Sequence, residues 1–365
     1  MATAIMVGAG RTGNMSISDF EQQARVADGQ TTAHTLCESL EKTVLSENAL
    51  KNLEVKPQKK FLGPIFEGTL GEMYGPRGIG KTWLRDAIAH CLTRGLKLGP
   101  FTSGCPAGVL IVDGEMSISS LKERLSLSQN LPVALKPLDF ISNELLYQGG
   151  YPVINLSDPL WREAFIELIK ITGDKWNVII FDNLSSLLPS VKENDQEAWG
   201  PTNGLFLQLR WMGKAVVFIH HAGKNGDQRG TSGREDQLDF VLKLTLPPGH
   251  DPQDGCRFNA TLTKSRSLTG DEAAPFTFEI GKHPAGGLTW TVSNLKESRK
   301  EIIIALLGNG IAQRSICELL GVDKAYVSRV KMNSIRQKIL MDKGNDFTPV
   351  GFLKYGGIDI ENYIS

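Results

Sequence analysis

The stretch Gly75-Pro76-Arg77-Gly78-Ile79-Gly80-Lys81-Thr82 decides the fold of this chain, because it matches the phosphate-binding pattern G-x-x-x-x-G-K-[ST] in full. Its glycines let backbone N–H groups converge on phosphate oxygens without side-chain clashes. Lys81 is placed to reach the β- and γ-phosphates, and Thr82 offers its hydroxyl to Mg²⁺. A strand-like run, Thr69–Tyr74, precedes this P-loop, and a helical pattern follows it. The order strand, loop, helix predicts a nucleoside triphosphate site that extends to Trp83.

The composition excludes some classes of protein and leaves others open. The chain has 365 residues, with 40 basic and 40 acidic side chains, so net charge alone does not indicate a nucleic-acid partner. No apolar run approaches the roughly 18 residues of a membrane helix, and the N-terminus lacks the features of a signal peptide. Five scattered cysteines without a C-x-x-C pair favour free thiols in a reducing compartment. We therefore expect a cytoplasmic protein without a membrane partner.

The pattern of residues divides the chain into three regions. Residues 1–57 are polar and helical in pattern, which predicts an N-terminal arm and linker. Residues 58–295 alternate buried-type strands with helices, as expected for a parallel sheet that is covered on both faces. Residues 296–365 change to short helices with a basic surplus. The predicted strands of the middle region, the last three forming a possible antiparallel extension, are Val109–Val112, Val178–Phe181, Ala215–Ile219, Phe258–Thr263, Phe276–Ile280 and Leu288–Val292.

Acidic residues follow two of these strands. Asp113 and Glu115 lie two positions apart after the first strand, so both can face the same side. A carboxylate at this place can orient a water molecule in line with the γ-phosphate, although a solvated loop acid is the alternative. Asp182 ends the second strand and has the expected Walker B shape. We expect Asp182 to hold Mg²⁺ next to Thr82.

Two histidines, His220 and His221, end the third predicted strand. Adjacent strand residues point to opposite faces, so the two histidines cannot chelate one metal together. One of them should face the nucleotide, where it can donate a hydrogen bond to the γ-phosphate. A packed histidine with satisfied hydrogen bonds is the alternative.

Together these elements carry a family resemblance. Their order along the chain is the P-loop, Glu115, Asp182, the histidine pair with Lys224, and Arg229-Gly230-Thr231-Ser232. Over roughly residues 60–290, this order resembles the RecA-like ATPases of the plasmid RepA-type hexameric replicative helicases and, more broadly, the DnaB and KaiC branch. The resemblance implies an α/β RecA-like core with a mostly parallel twisted sheet flanked by helices. It also implies ATP and Mg²⁺ as cofactors and a hexameric homo-oligomer.

The resemblance assigns roles to individual residues. By it, Glu115 is the catalytic carboxylate and His221 is the better candidate for the γ-phosphate sensor. Arg229 matches an arginine that reaches into the neighbouring subunit's site, and the pair Lys264-x-Arg266 is similar to the trans-acting K-x-R of the KaiC branch. The sequence does not choose between the two arginines, and in a third interpretation both bind DNA phosphates. The core motifs contain no third positive group beside the P-loop, which favours a ring in which each subunit completes the next one's site.

DNA contacts are expected in two places. In RecA-like rings, the loops after Asp182 and after the histidine pair face the central channel. Cationic side chains there bind backbone phosphates without reading sequence, although simple solvation is the alternative. The candidates in these loops are Lys192, Lys224, Arg229 and Arg234.

Residues 313–330 resemble a helix-turn-helix and are the second place. Gly321 supplies a left-handed turn, and Asp323 can cap the second helix. Residues 346–355 could form a small wing. The outward-facing candidates for phosphate and base contacts are Lys324, Tyr326, Ser328, Arg329 and Lys331. A helical tail for protein contacts is the alternative.

The sequence therefore favours an ATP-hydrolysing DNA helicase or translocase that acts in the replication of a plasmid, phage or other mobile element. One alternative is a DNA-binding RecA-like ATPase that remodels, loads or regulates without unwinding. A second alternative is a signalling ATPase of the KaiC type.

Overall fold

The computed structural model describes residues 33–189, 196–222, 236–247, 255–341, 346–349 and 351. Its contacts divide the chain into two compact units, residues 1–57 and 58–365. The first unit contains two helices, α1 (Ala33–Thr43) and α2 (Glu47–Lys51), and neither has a buried residue. Ser46 caps the second helix by accepting a hydrogen bond from the Ala49 N–H. This cap divides the helical pattern predicted for the N-terminal arm into two short helices in its described part.

The second unit is built on a nine-stranded sheet. Its strands, with a separate two-stranded sheet at the start, are β1 (Lys60–Leu62), β2 (Ile65–Phe66), β3 (Leu70–Gly75), β4 (Val109–Asp113), β5 (Leu138–Ser142), β6 (Val178–Asp182), β7 (Ala215–His221), β8 (Phe240–Thr245), β9 (Arg257–Ser265), β10 (Phe276–Lys282) and β11 (Leu288–Asn294). The nine strands have the order β11-β10-β9-β8-β3-β7-β6-β4-β5. The six strands from β8 to β5 run parallel, and β9 to β11 extend the sheet antiparallel. The predicted α/β core, with a mostly parallel sheet and its antiparallel extension, is confirmed.

Helices cover this sheet on both faces, as its apolar strands require. Within the described residues of this unit, the helices are α3 (Lys81–Arg94), α4 (Ile118–Arg124), α5 (Asn143–Gln148), α6 (Pro159–Thr172), α7 (Leu184–Leu187), α8 (Gln196–Trp211), α9 (Leu295–Gly308), α10 (Gln313–Leu320) and α11 (Lys324–Arg336). Alternate residues of β4, β6 and β7 pack into two different apolar clusters, one with α3 and one with α6 and α8. This alternation holds each central strand in one register.

The register brings the predicted strand ends to one edge of the sheet. Gly75 lies opposite His221 across the β3–β7 pair, and Asp113 lies opposite Asp182 across the β4–β6 pair. Because these strands are parallel, their carboxyl ends form a common rim. In parallel α/β sheets, ligands bind outside this rim.

The last three helices enclose a small apolar cluster of their own, which includes Ile316, Val327 and Val330. Gly321 has a φ of 59°, and the Asp323 carboxylate accepts a hydrogen bond from the Tyr326 N–H at 2.7 Å. Tyr326 is half-buried against the cluster, so its expected outward position is wrong. Tyr326 packs against the cluster into which α11 also buries Val327 and Val330.

The other C-terminal candidates have mixed exposure. Lys324, Ser328 and Arg329 are exposed, and Lys331 is half-buried. Of the wing expected over residues 346–355, the described part pairs at only two points, where Asp346 and Phe347 bridge to Asn309 and Leu340. DNA binding by this region stays a prediction.

Two further findings concern the chain as a whole. All five cysteines are free thiols, as expected from their spacing. In the described part of the chain, no helix combines the length and the apolar character that crossing a membrane requires.

Gly71 provides a test of the packing that holds β3. An added Cβ would meet the buried ring of Phe240 at 2.1 Å, on the strand that pairs with β3. We expect Gly71→Ala to lower the free energy of unfolding by about 1–3 kcal/mol through overpacking. Gly204→Ala is the matched control, because a Cβ there meets nothing within 4 Å inside α8. Urea unfolding measures both variants, and equal midpoints would contradict the assigned packing.

Candidate nucleotide-binding site

The P-loop wraps the start of α3 in a conformation that only glycine permits. Gly78 and Gly80 have φ angles of 75° and 109°. A Cβ on Gly80 would also lie 2.4 Å from the Cys256 sulfur, so the site excludes side chains for two reasons. Ile79 is buried beneath the loop, whereas Arg77 is exposed at its tip. The loop therefore presents its backbone, and the N-terminal end of α3, to an anion.

Lys81 places a buried ammonium inside this loop. Its Nζ donates hydrogen bonds to the carbonyl oxygens of Gly75 at 2.9 Å and Pro76 at 2.8 Å. Burial lowers the pKa of Lys81 to about 8, although Asp182 and Glu115 favour its charged form. At neutral pH the group is a poorly solvated cation, which favours pairing with phosphate oxygens.

The pocket above Lys81 has a volume of about 260 Å³. It brings together most of the predicted site residues, which come from four separate segments of the chain. Its lining consists of Gly78, Gly80, Lys81, Thr82, Trp83, Asp113, Glu115, Met116, Arg124, Asp182, Asn183 and His221.

Thr82 and Asp182 supply oxygen donors to this pocket. The Thr82 side chain hydrogen-bonds to the Asp182 carboxylate. Burial raises the pKa of Asp182 to about 6, while the nearby Arg85 guanidinium favours its ionised form, so the carboxylate carries charge at neutral pH. Mg²⁺ is usually held by one or two protein oxygens together with water and substrate phosphates. A hydroxyl beside a carboxylate therefore fits Mg²⁺.

Glu115 and His221 both face the pocket, and Asn183 connects them. The Asn183 Nδ2 donates a hydrogen bond to Glu115 Oε2 and lies 3.3 Å from His221 Nε2. The Asn183 Oδ1 accepts from the Ser186 N–H at 3.1 Å, which fixes the amide. Asn183 was not among the predicted site residues, although a polar residue directly after the Walker B aspartate was a usable signal.

Asp113 has a different environment from Glu115, despite their spacing. Its Oδ1 accepts hydrogen bonds from the N–H groups of Glu115 and Met116, at 3.0 and 2.7 Å. Its Oδ2 lies 2.5 Å from Arg85 Nη1. Asp113 is 1% exposed and engaged on both oxygens. Glu115 is therefore the carboxylate of the two that is placed to contact a water molecule.

Arg124 is a positive group that was not predicted from the sequence either. It ends α4, and its guanidinium stacks on Trp83 at 3.9 Å from the ring centroid while lining the pocket. Its Nη1 lies 3.6 Å from Asp86 Oδ2. The expectation of no third positive group beside the P-loop concerned the core motifs alone, and Arg124 lies outside them. The core motifs contain no such group, but the packing of α4 on α3 supplies one.

Arg266 follows the C-terminal end of β9, at the rim of the sheet opposite to the rim where the pocket lies. Ser265 pairs with Phe240 at the start of β8, whereas the P-loop follows the far end of parallel β3. Phe240 lies opposite Gly71, four residues before Gly75, so these ends are about 13 Å apart along the strand at a rise of about 3.3 Å per residue. Arg266 donates to the Asp236 carbonyl oxygen at 2.6 Å. Arg266 therefore lies at the rim of the sheet away from the P-loop of its own chain.

The remaining candidates cannot be placed. Arg229, the other candidate for an arginine that acts in trans, lies outside the described residues. The same holds for the loop cations Lys192, Lys224 and Arg234.

Comparisons with known proteins identify a family for this chain. A family model described as AAA domain matches residues 36–227, which is more than half of the chain. A search of curated proteins found no match. Among solved structures, a KaiC-like protein from the hyperthermophilic archaeon Pyrococcus horikoshii OT3 is similar at 15% identity and a TM-score of 0.43, over 64% of this chain and 100% of that chain. The flagellar accessory protein FlaH from Methanocaldococcus jannaschii is similar at 13% identity and a TM-score of 0.40, over 62% and 90%.

The pKa of Lys81 predicts a pH dependence of nucleotide binding. Before binding, the pKa is about 8, and phosphate oxygens raise it in the complex by favouring the charged form. Affinity should fall as the pH rises above about 8, and binding there should take up a proton. Calorimetric titration in buffers of different ionisation enthalpy measures this uptake. Lys81→Arg keeps its charge at these pH values, so the same pH dependence in that variant would refute the assignment.

Proposed function

The chain belongs to the AAA domain family and is a P-loop ATPase, and on this premise we propose that it is a ring-forming DNA helicase or translocase. The proposed setting is the replication of a plasmid, phage or other mobile element. One observation carries the ATPase step, namely the single pocket that holds Lys81, Thr82, Glu115, Asp182 and His221. The DNA-dependent step is supported by the resemblance to replicative helicases, and ring formation by the position of Arg266.

The pocket residues suit an in-line attack of water on the γ-phosphate. Glu115 accepts a hydrogen bond from the attacking water and orients it, while Asn183 holds the Glu115 carboxylate. The water oxygen forms a bond to the γ-phosphorus as the bond to the β,γ-bridging oxygen breaks. Lys81 and the backbone N–H groups of the P-loop neutralise the charge on the phosphates. His221 senses the γ-phosphate through a hydrogen bond.

Thr82 and Asp182 are the residues that would hold Mg²⁺ in this site. When bound, the ion neutralises charge on the β- and γ-phosphate oxygens. Asp182 contributes a carboxylate that is buried and paired with Arg85 at 2.7 Å, and is therefore fixed in position.

The position of Arg266 supports assembly into a ring. An arginine supplied from a neighbouring chain typically accelerates phosphoryl transfer by about 10³–10⁵. Arg266 cannot serve its own pocket, and its side chain is half-exposed at the opposite edge of the sheet. An interface that joins two different edges of identical subunits is heterologous, and it closes into a ring if the rotation permits.

The C-terminal helices favour a second candidate, a DNA-binding ATPase that remodels or loads without unwinding. Lys324, Ser328 and Arg329 form an exposed polar surface on α11. A helix with such a surface, next to a short capped turn, is suited to contact duplex DNA. A forked-duplex unwinding assay distinguishes the two candidates.

The first test is ATP hydrolysis with and without single-stranded DNA. We expect DNA to stimulate hydrolysis, because a motor couples each turnover to movement along a strand. Lys81→Ala serves as the blank, since loss of the P-loop cation removes transition-state stabilisation. Hydrolysis that is indifferent to DNA, with the blank inactive, would contradict the helicase proposal and favour a signalling ATPase.

Mixing variants tests whether Arg266 acts in trans. Arg266→Ala alone should bind ATP but hydrolyse it at least about 10³-fold more slowly. Mixed with Lys81→Ala chains, it should recover activity, because an intact P-loop then meets an intact arginine from its neighbour. Ultracentrifugation with ATP and Mg²⁺ should show a ring of about six subunits. Monomers under these conditions, or no recovery on mixing, would refute the trans assignment.

A further inference from the structure

Arg85 is a fully buried cation directly beneath the nucleotide pocket. It lies one helical turn after Lys81 on α3, so both side chains project from the same face. Its side chain is 0% exposed and contacts three carboxylates. Its Nη1 lies 2.5 Å from Asp113 Oδ2 and 2.7 Å from Asp182 Oδ2, and its Nε donates to Asp86 Oδ1 at 2.8 Å.

We infer that Arg85 is a positioning residue that orients the Asp182 carboxylate for Mg²⁺, an inference that rests on the ATPase function proposed above. Arg85 binds Oδ2 of Asp182 from the buried side, and Thr82 contacts the same carboxylate from the pocket. Pairing of Oδ2 with a fully buried guanidinium fixes the orientation of this carboxylate relative to the metal site. Partners of this kind fix the direction of a metal ligand without touching the metal.

Asp113 connects Arg85 to the backbone of Glu115. One of its oxygens faces Arg85, and the other accepts the N–H groups of Glu115 and Met116. A shift of Asp113 would therefore move the backbone that carries Glu115. Because Asp113 and Asp182 are paired residues on adjacent strands, Arg85 ties together the two strand ends that supply the acidic side of the pocket.

The geometry calls for arginine rather than for any cation. A guanidinium presents its donors in fixed directions, and here one side chain reaches three carboxylates at once. Lysine keeps the charge, but its ammonium is a compact group on a flexible stem. Replacing Arg85 by lysine therefore retains the positive charge in the cluster and removes the geometric constraint on Asp182.

Nucleotide affinity with and without metal tests this role. The dissociation constant of a non-hydrolysable ATP analogue is measured by calorimetry, first with Mg²⁺ and then with EDTA. For Arg85→Lys, we expect the affinity in EDTA to remain near that of the wild type. The gain in affinity from Mg²⁺ should fall about tenfold, the usual cost of losing the partner of a metal ligand. Arg94→Lys is the matched control on the same helix, since Arg94 contacts Pro132 and His90 outside the pocket, and it should keep the full gain.

Two outcomes would overturn the inference in different ways. An unchanged gain from Mg²⁺ in Arg85→Lys, even with a lower melting temperature, would leave Arg85 with a purely structural role. Absence of analogue binding by the wild-type protein would overturn the proposed function, and this inference with it.

A second variant keeps the test decisive if Arg85→Lys does not fold. Arg85→Met combined with Asp113→Asn removes one charge of each sign, and neutral replacement of a buried ion pair is often tolerated. We expect the same selective loss of the Mg²⁺ gain in this double variant. A full gain would overturn the inference.

Discussion

The parallel hydrogen bonding of β3, β7, β6 and β4 is the constraint on which the pocket depends. Parallel neighbours end at the same edge of a sheet, so residues far apart in the chain meet there. Burial on both faces holds the register, because a slip of one residue would turn each side chain into the opposite apolar cluster. The pairs Gly75–His221 and Asp113–Asp182 follow directly from that register.

The register brings buried carboxylates close together, and their mutual repulsion and desolvation are offset by Arg85 on α3. Asp86, Asp113 and Asp182 are all buried, and an unpaired buried carboxylate is costly. Arg85 neutralises part of the negative charge of this cluster. Burial alone would lower the pKa of Arg85, but the three aspartates keep that pKa above its ordinary value. One helix thus serves two purposes, since Lys81 faces the substrate and Arg85 stabilises the carboxylates beside it.

The parts that could be predicted from the sequence share a local origin. The P-loop, the apolar strands and the acidic residues after them depend on short-range spacing, and their predicted positions agree with the structure to within a few residues. Asn183 and Arg124 were missed because their partners lie on other segments, Glu115 in one case and Trp83 in the other. Tyr326 was placed outward because helical spacing alone does not show how far an aromatic ring reaches into a core.

By itself, the sequence determined the chemistry that is available, namely a phosphate-binding loop, carboxylates at strand ends and a histidine pair, because each of these is a pattern of neighbouring residues. Only the tertiary structure decided which of these groups work together. It turned Asp113 towards Arg85 and left Glu115 facing the pocket, and it placed Arg266 at the edge remote from its own P-loop. The physical reason is that pairing partners, burial and strand direction are set by contacts between segments distant in sequence.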